Sequence, residues 1–195
     1  MKTTTRIRRL PTLLRFNMPE VEISLLAGLG QNRLWLNNPW QYPGFTELAS
    51  MFLKGHTVLM GREAWFDFPL KEDLSITPWV LSHNQYFHMY TRARYPHVRF
   101  VDTLDVLTRV VPTKGVWWVL GGHSIYRAVL PYADSVEATI VTGAQGHVDL
   151  LKPSTFSQTH ACPHPFHSTL ECVRYERQYT ESRDLAVQVQ QVQAN

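Results

Sequence analysis

Two glycine-bearing turns are the places where residue type and spacing in this chain point to chemistry. In Val116-Trp117-Trp118-Val119-Leu120-Gly121-Gly122-His123-Ser124-Ile125-Tyr126 an apolar run stops at paired glycines and resumes as a helical pattern through Ala128, Val129 and Leu130. A strand that turns into a helix in this way lets a ligand come close to the main chain. It also aims free N–H groups and a partial positive charge at that ligand, so an anion suits it best. Alone, the same turn serves equally well as a tight connection. A second one, Val58-Leu59-Met60-Gly61-Arg62-Glu63-Ala64-Trp65, carries a cation in place of the second glycine. A planar guanidinium at a helix start suits a phosphate, which takes bidentate hydrogen bonds. Together the two turns imply a phosphate-rich cofactor.

With these turns in place, the chain resembles dihydrofolate reductase. Ile23-Ser24-Leu25-Leu26-Ala27, Pro39-Trp40, Met60-Gly61-Arg62 with Trp65, Leu81-Ser82, and Leu120-Gly121-Gly122 with Tyr126 occur in that family's order, and the resemblance runs roughly from Val21 to Val192. It implies hydride transfer from NADPH to dihydrofolate, supplying tetrahydrofolate for one-carbon metabolism. By the same resemblance, Trp40 stands beside the active-site loop Trp35 to Gln41, and Thr139 hydrogen-bonds the active-site carboxylate. Tyr126 and the Leu120 carbonyl line the nicotinamide and pterin pockets, and Leu26 and Ala27 present backbone to both ligands. Gly121 and Gly122 form the family's cis Gly-Gly bond, followed by His123 and Ser124 on the cofactor side. Arg62, with Ser82 and His83, is the candidate for the adenosine 2′-phosphate.

The acid is where the pattern departs. The family places a carboxylate early in its first helix, and the usual spacing from Pro39-Trp40 puts Phe45 there, on the substrate side. Glu47 is the acid nearby and the candidate for the role. Phe45, Leu48, Ala49, Phe52 and Leu53 form one helical stripe, and Glu47 lies about 200° around the helix from Phe45. Glu47 therefore reaches the cleft only if the loop after Trp40 is two residues longer than usual. Otherwise it follows the cap Thr46 and favours the helix dipole. Near the expected arginine for the folate glutamate tail the chain reads Lys71-Glu72-Asp73-Leu74-Ser75-Ile76-Thr77-Pro78, leaving Lys71 as a point charge. Glu63 sets a negative charge where a pyrophosphate is expected. Three readings stay open: a dihydrofolate reductase, a reductase of another heterocycle such as a pyrimidine or flavin precursor, and a non-catalytic binding or structural component of a larger assembly.

The elements that must position these residues alternate. Ile23 to Leu29, Thr57 to Met60, Trp79 to Ser82, Val98 to Val101, Val116 to Leu120 and Val136 to Val141 read as strands, most of them apolar on both faces. Asp102 or Thr103 begins a helix through Leu104, Leu107 and Val111. Leu170 to Tyr179 and Leu185 to Gln190 read as a terminal antiparallel hairpin. An α/β fold follows: a mixed, mainly parallel eight-stranded sheet flanked by helices, as the resemblance also implies.

Composition bounds the rest. A chain of 195 residues with 44% hydrophobic and 18% charged residues is a single globular domain, here residues 21–195. Residues 1–20 carry Lys2, Arg6, Arg8, Arg9 and Arg15 before the first acid, Glu20, and read as a flexible basic arm rather than a transit peptide. A net charge of +3 with no basic–aromatic track gives no reason to expect nucleic acid, and no stretch is apolar for the roughly 20 residues that span a membrane. A cytoplasmic monomer acting on a small molecule is the expectation. Cys162 and Cys172 cannot build a disulfide framework, which points to a reducing compartment. His160, Cys162, His164 and His167 have spacings too tight for a tetrahedral metal, so no metal is expected and the tract reads as a polar loop.

Overall fold

A computed structural model describes residues 21–42, 44–104, 115–151 and 155–178. The basic arm, most of the helix expected after Asp102, and Leu185 to Gln190 lie outside them. The strands are β1 (Val21–Gly30), β2 (Thr57–Gly61), β3 (Thr77–Leu81), β4 (Arg99–Val101), β5 (Gly115–Val119), β6 (Ser135–Val141), β7 (Phe156–Pro163) and β8 (Leu170–Arg177). They form one sheet in the order β4-β3-β2-β5-β1-β6-β8-β7. From β4 through β6 the pairing is parallel, and β8 and β7 join antiparallel.

The apolar runs explain the centre. Side chains alternate across a strand, so β1 sends Leu25, Ala27 and Leu29 into one core and Leu26 into the other. The Leu26 face is covered by α1 (Phe45–Leu53), α2 (Arg62–Asp67) and Phe87 of α3 (Gln85–Arg94). The opposite face is covered by α4 (His123–Val129), through Ile125, Tyr126 and Val129. No described helix is long and apolar enough to cross a membrane.

The terminal hairpin is present but differs from expectation in its partner. β8 pairs with the preceding β7, with a register irregularity between Gln158 and His160. His160 and Cys162 therefore lie on a strand and not in a loop. The reason is that among the described residues β7 is paired on one side only and is largely exposed, so Ser157 to Ala161 never needed the apolar alternation by which a strand is read.

After β1 the chain is fastened at several points. Trp35 N–H donates to the Val148 carbonyl and His147 N–H to the Trp35 carbonyl, while Asn32 accepts from and donates to the Gly146 main chain. Gly146 presses so closely on Leu34 that a Cβ there would overlap the Leu34 carbonyl. Gly146→Ala should therefore loosen the segment at 31–36 and lower stability by about 1–3 kcal/mol, as overpacking does. Chemical denaturation of the variant checks this, and an unchanged midpoint would contradict it.

Candidate active site

The cleft opens where β1, β5 and their following segments meet. Gly28, Trp35 to Trp40, Glu63, Ala64, Asp67, Leu120, Gly122, His123 and Tyr126 line it, enclosing about 230 Å³. Its floor is made by main chain. The Gly121–Gly122 peptide is cis, Gly61 N–H donates to the Gly121 carbonyl at 2.7 Å, and Leu120 N–H donates to the Leu59 carbonyl at 2.9 Å. These bonds carry the β2–β5 pairing past the end of β5 and bring the two glycine turns side by side.

Tyr126 is fully inside. Its hydroxyl donates to the Leu26 carbonyl at 2.6 Å, and burial raises its pKa, so it acts as a neutral donor. Its ring lies 4.3 Å from Trp35 and directly under Gly121, whose φ of +85° also favours glycine. Trp40 follows Pro39 in a 3-10 turn, which Asn38 caps by accepting from Trp40 N–H at 3.1 Å. The Trp40 ring meets Phe45 edge-on at 4.9 Å and Phe68 at 5.6 Å, forming an aromatic wall. Phe68, Gly28 and Asp67 did not emerge from sequence reasoning. Gly28 had a signal, since a glycine inside a strand marks close approach, and here a Cβ would strike Pro39. Asp67 had one too: it stands four residues after Glu63, one helical turn on.

The expected acid does not reach the cleft. Phe45 opens α1 fully buried, while Glu47 is exposed and close enough to His164 for its charge to act there. The two-residue shift that would have turned Glu47 inward is not made. Gly44, with φ of +87°, is the residue before the helix, so Phe45, Leu48, Ala49 and Leu53 keep the buried stripe. Thr46 is not the cap. Thr139 is fully buried on β6, opposite Gly28 of β1, and its hydroxyl has no hydrogen-bond partner among the described residues. A partnerless buried hydroxyl is costly, and this one sits where the resemblance implies a carboxylate.

The remaining candidates divide. Leu26 and Leu120 are buried in the same core as Phe45, whereas Ala27 faces the other core. Gly122, the residue before α4, has open space where a Cβ would point. The His123 ring lines the cleft with a buried Nε2 that has no partner among the described residues, and burial followed by the Arg127 charge lowers its pKa. Ser124, Arg62 and His83 are exposed. Ser82, at the end of β3, is buried and accepts from Asn84 N–H at 3.1 Å. Neither Ser82 nor His83 lines the cleft itself. Lys71 is committed elsewhere: its ammonium donates to the Phe66 carbonyl at 2.7 Å, near the end of α2.

Two glycines in one turn thus have opposite constraints. Gly121→Ala should destabilise the fold by about 1–3 kcal/mol, because its Cβ would lie 2.7 Å from Tyr126 Cζ. Gly122→Ala should fold with wild-type stability yet weaken ligands that enter the cleft. Thermal melts paired with cofactor titration check both, and equal melting shifts would contradict the assignment.

A second expectation concerns His164, which is buried against Gly44 with His167. Burial, then the His167 charge, lowers its pKa below the unfolded value, with smaller opposing contributions from the Gly44 carbonyl and Glu47. The unfolded chain then binds the extra proton more readily. The stability contributed by neutral His164 is complete above the ordinary histidine value of about 6.5 and is lost as pH falls through the lowered folded value. Denaturation midpoints measured from pH 8 to 5 should fall, and less steeply in His164→Gln; identical slopes would exclude His164.

The chain matches the family model described as Dihydrofolate reductase over residues 30–178. It is 28% identical over 103 residues to the dihydrofolate reductase of Mycobacterium tuberculosis, a match spanning 53% of this chain and 59% of that protein. With the enzyme of Mycobacterium leprae the identity is 26% over 111 residues, spanning 57% and 65%. The matched segments thus cover less than two thirds of these curated relatives. Among solved structures, a dihydrofolate reductase from Enterococcus faecalis, complexed with NADP(H) and RAB-propyl, superposes with a TM-score of 0.65 at 14% identity, covering 81% of this chain and 97% of that one. Sheet order, cis Gly121–Gly122 turn and family match lead to one conclusion: the chain belongs to the dihydrofolate reductase family.

Proposed function

We propose that this protein reduces dihydrofolate with NADPH, and that it does so without a carboxylic acid of its own at the pterin. The observation that carries the reading is the junction in which cis Gly121–Gly122, Gly61 and the Tyr126–Leu26 hydrogen bond place bare main chain beside an aromatic wall. The residues fit a dinucleotide: Gly122 leaves room for a flat ring against the turn, and buried His123 Nε2 has no partner among the described residues. Gly121, Gly122 and His123 would hold the nicotinamide end, with Ser124 beside them. Arg62, with Ser82 and His83, would take the 2′-phosphate. When bound, NADPH supplies a hydride.

The chain's own groups orient the substrate and limit water. Leu120 and Trp40 offer apolar contact to a pterin, backed by the buried Leu26, Phe45 and Phe68, and Tyr126 holds the Leu26 carbonyl in place. Protonation falls to water, since Glu47 is exposed and Tyr126 donates its proton to main chain. Glu63 and Asp67 add negative charge to the cleft, and the Arg62 guanidinium at the start of α2 offsets part of it.

The test is dihydrofolate-dependent oxidation of NADPH across pH. Activity should decline steadily as pH rises, following protonation of the substrate, and Glu47→Gln should leave both rate and profile unchanged. Arg62→Ala should weaken NADPH, but not NADH, by about tenfold to a hundredfold, the worth of roughly 1.5–3 kcal/mol from a charge-assisted hydrogen bond. NADPH binding without turnover would replace this proposal with the non-catalytic reading, which the buried Phe45 favours. Turnover of a smaller heterocycle but not of dihydrofolate would fit the engagement of Lys71 with Phe66. Absence of cofactor binding would overturn the reading.

A further inference from the structure

Among all 195 residues the chain has two cysteines, and the fold sets them face to face. Cys162 on β7 pairs with Cys172 on β8 in the antiparallel register, both as free thiols and both half-buried. Residues directly opposite on antiparallel strands project to the same side of the sheet. The pair two steps further along, His164 and Leu170, is joined by a hydrogen bond from His164 N–H to the Leu170 carbonyl at 3.0 Å. Pair types alternate along an antiparallel ladder, so Cys162 and Cys172 also occupy a hydrogen-bonded position, where Cα atoms lie about 5.5 Å apart. That separation falls within the roughly 4.4–6.8 Å that a disulfide bridges.

We propose that Cys162 and Cys172 are a redox-active dithiol which exchanges with small-molecule disulfides to form a reversible cross-strand disulfide. Burial, followed by the negative charge Cys162 would carry and their mutual hydrogen bond, pushes the Cys172 thiol up to about 11, so Cys172 stays protonated at neutral pH. The first attack therefore belongs to Cys162. Its thiolate attacks one sulfur of the small disulfide and releases the other half as a thiolate, leaving a mixed disulfide on Cys162. Cys172 then loses its proton and attacks the Cys162 sulfur, expelling the second half as a thiol. The protein loses two protons and two electrons, and the small disulfide gains them. Side chains of cross-strand pairs start slightly farther apart than a relaxed bridge requires, so the bond closes under tension and opens readily to reductants.

The position gives the pair reach into the candidate site. Cys172 lies directly opposite Thr139 on β6, so Gly28, Thr139, Cys172 and Cys162 form one row across four strands. The turn that the disulfide would close carries His164 and His167, which pack on Gly44 at the start of α1. The inference stands on the register alone and does not depend on the reductase reading.

The full chain, first reduced, is to be equilibrated in buffers of graded glutathione-to-glutathione-disulfide ratio and quenched with acid. Free thiols should fall from two per chain to none, the intact mass should drop by two hydrogens with no glutathione attached, and a non-reducing peptide map should join Cys162 to Cys172. Addition of excess reduced glutathione should restore both thiols. In Cys172→Ser a glutathione adduct should persist on Cys162, because nothing displaces it; in Cys162→Ser any adduct on Cys172 should form much more slowly. Persistent adducts on the wild-type chain, disulfide-linked dimers, or two thiols unchanged across the series would each overturn the proposal.

Discussion

The structure depends on the bond by which Tyr126, carried on α4, holds the Leu26 carbonyl of the central strand from the far side of the sheet. A buried phenol must find an acceptor, and the acceptor here belongs to a strand whose neighbours on both sides are parallel. The bond sets how close α4 lies to β1, and Gly121 is the residue that tolerates the Tyr126 ring beneath it. From that follow the course of the chain at the cis turn, the meeting of Gly121 with Gly61, and the location of the cleft. The aromatic wall and the segment at 31–40 close on what this junction fixes.

Much of this was legible because it is governed by local rules. Strands buried on both faces read as apolar runs, and paired glycines between a strand and a helical pattern read as a turn open to a ligand. The stripe beginning at Phe45 was equally readable, and its geometry already turned Glu47 away from the cleft. What stayed hidden was set by tertiary contact. Whether Gly44 or Thr46 begins α1 depends on the histidines packed against Gly44, which arrive from residues more than a hundred positions later. β7 was not legible because a strand with one neighbour among the described residues has little to bury.

The burial of Phe45 changes how the site must be understood. Phe45 supplies apolar surface where the resemblance implies an ionised group, and Thr139 retains a hydroxyl that nothing among the described residues satisfies. Glu63 and Asp67 of α2 line the cleft and bring negative charge to it. A site arranged this way joins the apolar surface of Leu36, Trp40 and Leu120 to the charge of two carboxylates.

The irregular step in β7 between Gln158 and His160 bears on how copies of this chain meet one another in a crowded solution. A long, flat, unpaired strand edge is a template on which another sheet can grow, and uncontrolled growth of that kind ends in fibrils. The opposite edge, β4, is three residues long and begins with an arginine. On the β7 side the irregularity bends the ladder, Gln158, Thr159 and His160 are exposed and polar, and Pro163 withholds an N–H at the strand's end. Both margins of the sheet are thus poor seeds for aggregation, which lets an eight-stranded sheet carry an apolar centre at high concentration.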